Sequence, residues 1–281
     1  MEARIAALEA ENEEFRKALM KPSPLPLSPP APGSPPSPPP PPPALTGVTF
    51  YSDMSTLTDG KLQDLSGNAN HGAIKSVGGT ATASQTGGVA GGGAYSFPDF
   101  GAYVELPAND GTVISGSKPR SVCYWTKGTG QDASDYPFGF GKDCSGNSGT
   151  TFNARFSSGG KMGFMGCADD ESGKSTSMSA STDSWQHVCY TYDGSSLKVY
   201  VDGAHGVTWS KSLQTVAASS GGVARIGSHT GASYATSKSD LNGVNGMIDE
   251  FYILDHAVTG AEIAIMRCFP FRSQGKVCPY V

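Results

Sequence analysis

The chain has 281 residues, a formal net charge of -5 and no cluster of Lys and Arg. That excludes a nucleic-acid partner, which needs concentrated basic side chains against its phosphates, and no run approaches the ~20 apolar residues that span a bilayer. Its 37 glycines, with abundant Ser, Thr, Tyr and Val, suit many short strands joined by tight turns, in one large β domain with appendages or in two modest domains.

Residues 1–21, MEARIAALEAENEEFRKALMK, are expected to be helical. Ile5, Leu8, Asn12, Phe15 and Leu19 recur at spacings of three and four, an a/d seam with Asn12 at an a position. Two readings stand: a short coiled coil that assembles a homo-oligomer, or a lone amphipathic helix, since fewer than three heptads are marginal alone. The first twenty residues are charged and carry no apolar signal-peptide core. Residues 22–43 hold fourteen of the twenty prolines. Proline fixes φ and lacks the donor N–H, so this stretch is expected to be a polyproline II spacer reaching up to about 70 Å.

From Ala44 onward the pattern becomes alternation. AYSFPDFGAYVELP and PRSVCYWTKG read as strands bounded by Gly, Pro or Asn. WQHVCYTYDG and SLKVYVDG form a hairpin turning at Asp193-Gly194, with Leu197, Val199 and Val201 on one face. GMIDEFYIL is a late strand; strict alternation puts Met247, Asp249, Phe251 and Ile253 on one face and Ile248, Glu250, Tyr252 and Leu254 on the other. Thr259 and Glu262 make a capping box before the helical AEIAIMRC. The expected class is all-β, a two-sheet antiparallel sandwich. The expected organisation is a helix (1–21), a linker (22–44), a β domain (45–268) and a tail (269–281).

The six cysteines, Cys123, Cys144, Cys167, Cys189, Cys268 and Cys278, include no C-x-x-C pair, and no His lies at zinc-finger spacing. An even count at wide spacing reads as disulfides and an oxidising, extracellular, cell-surface or matrix location. Buried free thiols are the alternative.

The order DGKLQDLSGNANHG, AYSFPDFGAYVELP, WQHVCYTYDGSSLKVYVDG, ARIGS, NGMIDEFYILDHAVTGAEI resembles a laminin G-like jelly roll of the concanavalin A-like lectin/glucanase type, over roughly residues 47–267. The strands SVCYW and HVCYTY further resemble those joined by the pentraxin disulfide. This resemblance implies a bond between Cys123 and Cys189; of the three pairings then open, Cys144 with Cys167 and Cys268 with Cys278 is the expected one. The acidic calcium loop of pentraxins has no counterpart in SHTGASYATSKSD, which follows ARIG. In laminin G-like domains the early D-x-S-G-N-x-N-H-G segment lies near the late strand Asp. The resemblance therefore implies a structural Ca²⁺ held by Asp64, Asn68, Asp249 and turn carbonyls such as that of His71, since calcium takes six to eight hard oxygen ligands. The alternative is an Asx-turn whose carboxylates satisfy backbone N–H groups.

The fold type also hosts glucanases, whose laminarinase branch carries Glu-x-Asp-x-x-Glu on one strand; no such series occurs here. The expected function is a non-catalytic module for a glycan or glycoprotein, with loop aromatics Tyr136, Phe138, Trp209 and Tyr234 as candidate sugar platforms, each equally suited to core packing. A surface-coat or matrix protein without a sugar site is the runner-up, and a glycoside hydrolase comes third.

Overall fold

The structure is a computed structural model that describes residues 45–76, 82–84, 87–97, 102–128, 135–142, 149–157, 161–167, 170–171, 184–230 and 243–280. The expected helix at 1–21 and the proline-rich spacer lie outside the described residues. In chain order the strands are β1 (Val48–Ser52), β2 (Leu57–Thr58), β3 (Lys61–Leu62), β4 (Gly72–Ser76), β5 (Thr82–Ser84), β6 (Ala94–Phe97), β7 (Ala102–Leu106) and β8 (Arg120–Lys127). They continue as β9 (Phe138–Gly141), β10 (Thr151–Ser157), β11 (Lys161–Met165), β12 (Gln186–Tyr192), β13 (Ser196–Val201), β14 (Ala204–Ser210), β15 (Val223–Ile226) and β16 (Gly246–Leu254), before helix α1 (Gly260–Ser273).

Two antiparallel sheets form a sandwich. The first runs β14-β13-β12-β8-β16-β6-β5, with β1 also paired to β16; the second runs β11-β10-β9-β15-β7-β4-β3-β2. Consecutive strands β6 and β7 fall in different sheets, so the chain crosses the sandwich between Phe97 and Ala102. This is a two-sheet architecture consistent with a jelly roll.

Local chemistry explains the best-formed hairpin. The Asp193 carboxylate accepts the Ser195 and Ser196 N–H groups at 2.9 and 2.8 Å, and Gly194 adopts φ 102°. That turn sets Tyr192 opposite Leu197 and buries Leu197, Val199 and Val201, as the alternation requires.

Between the sheets lies an aromatic core. The Phe138 ring stands 5.4–6.2 Å from those of Tyr124, Phe140, Phe152, Tyr190 and Phe251. Aromatic pairs at these centroid distances add to area burial. Phe138 is therefore a core hub and not a loop platform. A Phe138→Leu variant is expected to lose roughly 1–2 kcal/mol of unfolding free energy in urea titrations, with no change in any ligand binding.

A second apolar cluster, on the outer face of the first sheet, packs Tyr51, Tyr252, Leu254 and Val258 against Ile263 and Met266 of α1. The helix starts where expected. The Thr259 hydroxyl accepts the Glu262 N–H, and Glu262 Oε2 accepts the Thr259 N–H at 2.7 Å, a reciprocal cap.

Candidate functional site

The early polar segment is a turn that grips β1. Asp64 Oδ1 accepts the N–H groups of Tyr51 (3.2 Å) and Ser66 (2.9 Å), and its Oδ2 accepts that of Asn70 (2.8 Å). The Asn68 amide nitrogen donates to the carbonyls of Val48 and Thr49, while His71 Nδ1 accepts the Asp64 N–H. A carboxylate committed to three N–H donors is a cap for a turn. Asp64, Asn68 and His71 are engaged in this turn, and among the described residues no group of three or more His, Cys, Asp or Glu side chains is disposed to hold an ion.

Asp249 lies on β16, which does not alternate strictly. The register against β8 shifts between Asp249 and Tyr252, and Glu250 takes the left-handed φ of 49°. This is a β-bulge, whose extra residue moves the following side chains to the opposite face. Ile248, Phe251 and Ile253 consequently enter the inter-sheet core, while Tyr252 and Leu254 pack beneath α1. Asp249 and Glu250, expected on opposite faces, both line one outer-face pocket of about 330 Å³. Asp53, Tyr51, Ala90, Gly92, Pro270 and Gln274 complete its wall.

The pocket is acidic, and its Asp249 and Glu250 side chains are buried. Asp249 Oδ2 accepts the Val89 N–H at 2.8 Å and its Oδ1 the Glu250 N–H at 2.9 Å. Glu250 Oε2 accepts the hydroxyls of Tyr51 (2.8 Å) and Tyr252 (3.4 Å), whose rings stack with centroids 4.5 Å apart. Burial raises the Asp249 carboxyl to about 8, opposed by its two backbone donors. Glu250 is raised well above the ordinary carboxylate range by burial first and by Asp249 second. Tyr51 links the two polar regions, its N–H on Asp64 and its hydroxyl on Glu250. Gly88 makes the approach possible: a Cβ there would stand 2.8 Å from Asp249 Oδ2 and 2.5 Å from the Gly93 carbonyl. Gly88→Ala is expected to push the 88–93 loop off Asp249, seen as faster amide exchange at Val89.

The pocket is lined by hard oxygens from the carboxylates of Asp53, Asp249 and Glu250, the Tyr51 hydroxyl and the main chain of the glycine loop, together with Gln274. A buried pair of carboxyls stays protonated or is neutralised by a cation. Among the described residues no group of three or more His, Cys, Asp or Glu side chains is disposed to hold an ion. Main-chain carbonyls would have to complete a shell here, as calcium accepts.

The other expected site residues are buried or outside the described set. Tyr136 and Trp209 are 4% and 8% exposed, Tyr136 donating to Met165 Sδ at 3.4 Å and Trp209 belonging to the inter-sheet core; Tyr234 lies outside the described residues. Cys123 and Cys189, directly opposite across β8 and β12, are bonded, as are Cys268 and Cys278. Cys167 is also in a disulfide, and Cys144 lies outside the described residues. What sequence reasoning missed are Asp53, Glu250 and the 88–93 loop. Nothing local marks the bulge that gathers them.

Residues 99–264, more than half of the chain, match the concanavalin A-like lectin/glucanases superfamily. No curated protein matches at the sequence level. Among solved structures, domain 4 of AbnA, a GH43 extracellular arabinanase from Geobacillus stearothermophilus, in complex with arabinotriose, is similar. It aligns at TM-score 0.57 and 20% identity, over 78% of this chain and 97% of that one. The binding domain of Paraclostridial Mosquitocidal Protein 1 aligns at TM-score 0.54 and 14% identity, over 79% of this chain and 52% of that one. The binding domain of Botulinum neurotoxin DC, in complex with rat synaptotagmin II, aligns at 0.51 and 17%, over 78% and 51%. This chain therefore spans about half the length of the two toxin chains, and these likenesses establish a shared fold.

Proposed function

We propose that this chain, which belongs to the concanavalin A-like lectin/glucanases superfamily, is a non-catalytic module that binds a glycan or glycoprotein outside the cell. The helix and proline-rich segment of residues 1–44 present it, the helix as an oligomerising stalk. The observation that carries the reading is how the buried carboxyls are held. Glycoside hydrolysis needs two carboxyls flanking the scissile bond with roughly 5–9.5 Å of substrate space between them. Asp249 and Glu250 are consecutive residues on one strand, engaged by Val89 N–H, Glu250 N–H and two tyrosine hydroxyls. Groups committed in this way support a structural role rather than that of a pair flanking a scissile bond. The fold shared with a domain in complex with arabinotriose and with two toxin binding domains supports the binding reading.

A glycan and glycoprotein array probed with the full chain tests it. Retention on at least one class is expected, with apparent affinity falling by roughly 10²-fold or more once residues 1–21 are removed. Retention on protein partners alone would favour a matrix protein instead.

The cation reading moves with Asp249 to the pocket. Calcium there would be held by the Asp249 and Glu250 carboxylates, with carbonyl oxygens of the glycine loop completing the shell, and would replace the protons of the buried pair. At a calcium concentration ~100 times its dissociation constant the fold gains about 2.7 kcal/mol. Thermal melts should accordingly rise by several degrees in calcium over EGTA for the native chain and not for Asp249→Asn. Equal melts for the native chain, with no calcium by elemental analysis, would remove the cation from the account.

A further inference from the structure

Beyond the family match, residues 269–280 do not trail away from the sandwich. Helix α1 ends at Ser273, and Gly275 adopts φ 68°. This left-handed turn, which favours glycine, sends the chain back along its own helix. Cys278 then bonds to Cys268, ten residues earlier. Where it turns, the returning segment borders the acidic pocket through Gln274. Pro270, Ser273 and Gln274 form part of its wall. The Gln274 amide, with its nitrogen 2.6 Å from the Ala90 carbonyl and its oxygen 3.1 Å from the Gly92 N–H, pairs with the glycine loop. Lys276 brings its ammonium to the same Ala90 carbonyl. At the far end the Tyr280 ring is held under the Arg267 guanidinium at 4.0 Å and beside Trp125 at 5.6 Å.

We propose that this C-terminal strap is a reducible cover: the Cys268–Cys278 disulfide latches it shut over the Asp249–Glu250 pocket, and reduction releases it. Few apolar contacts hold residues 274–280 apart from Tyr280, and Val277 is 89% exposed. Three polar contacts to one loop and the ring contacts of Tyr280 with Arg267, Trp125 and Phe271 are the non-covalent fastenings beside a covalent closure. The chain-entropy argument for a loop of ten residues makes the latched state favoured by roughly a hundredfold over the unlatched one. Access differs between the bonds as well. Cys123 and Cys189 are fully buried in the middle of the first sheet, whereas Cys268 and Cys278 are 2% and 6% exposed and Cys278 adjoins the exposed Val277.

The chemistry is thiol–disulfide exchange with a dithiol. One thiolate attacks Cys278 Sγ and expels the Cys268 thiolate, giving a mixed disulfide. The second thiol of the reductant then closes its own cyclic disulfide and frees Cys278. Two electrons pass to the protein, and the two protons lost by the reductant end on the cysteine sulfurs.

Hydrogen exchange with mass-spectrometric thiol mapping on the full chain tests the strap without a glycan or a cation. After limited exposure to dithiothreitol, alkylation is expected at Cys268 and Cys278 before Cys123 or Cys189. Peptides covering 87–97 and 269–280 should then exchange at least tenfold faster, while 186–192 is unchanged. Reoxidation should restore the slow rate, and a Cys268→Ser, Cys278→Ser double variant should exchange fast in either condition. Unchanged exchange at 87–97 in both the reduced chain and the double variant would overturn the strap, as would reduction of Cys123–Cys189 first.

Discussion

Acidification from pH 6.5 toward 3 is expected to cost the fold about 4 kcal/mol through His187 alone. The ring is fully buried, faces Trp125 at 5.3 Å, and neither nitrogen has a hydrogen-bond partner. Burial first, and the Arg267 charge second, lower it from 6.5 to about 3. Asp202, whose carboxylate accepts the His187 backbone N–H, and Tyr280, held on Trp125, are the other titratable groups on that side. Because the folded value lies below the unfolded one, the unfolded chain takes the proton first. The contribution is intact above pH 6.5 and falls by about 1.4 kcal/mol per unit below it, until the folded ring titrates near 3. His187→Phe keeps a ring against Trp125 and removes both nitrogens. Urea titrations at pH 7 and pH 4.5 should show this variant losing about 2–3 kcal/mol less than the native chain on acidification. An unchanged acid slope would show that His187 is solvated in the folded state.

Removal of the Cys123–Cys189 bond is the second large effect. The bond closes a loop of 66 residues between neighbouring strands of the first sheet, and both cysteines are fully buried against Tyr252 and the helix cluster. For a loop of that length the entropic model gives about 4 kcal/mol. Cys123→Ala with Cys189→Ala should lower the urea midpoint by that amount divided by the m-value. The loss should exceed, by roughly 1–2 kcal/mol, that from the strap variant Cys268→Ser with Cys278→Ser, whose native bond closes ten residues. A double-alanine variant as stable as the native chain would mean that β8 and β12 are held by packing alone.

The parts of this fold legible in the sequence are those decided within a few residues. Asp193-Gly194 turns one hairpin through its own side-chain oxygen, and Thr259 with Glu262 starts α1; each signal and its effect lie within a single turn of chain. The resemblance to laminin G-like and pentraxin strands supplied what spacing could not, the partner of Cys123. The bulge at Glu250 was invisible, because nothing in GMIDEFYIL distinguishes nine alternating residues from eight with one extra. Its consequence was large, moving Glu250 to the side of Asp249 and sending Phe251 into the core. The candidate aromatics failed for a related reason. Phe138 and Trp209 stand near turn-rich stretches, yet they bury because sheets on both sides of the sandwich close over them. Such placement depends on strands distant in sequence, as does the contact between Gln274 and the 88–93 loop.

The claim that this is a binding module and no hydrolase reduces to the fate of a captured glycan. The full chain should be held with the glycan it retains best, over days, and the released sugar weighed by mass spectrometry. Recovery of the glycan at its original mass, with no new reducing ends, is the expected result. Shortened products whose yield falls with Asp249→Asn or Glu250→Gln would contradict the account and make those carboxyls catalytic.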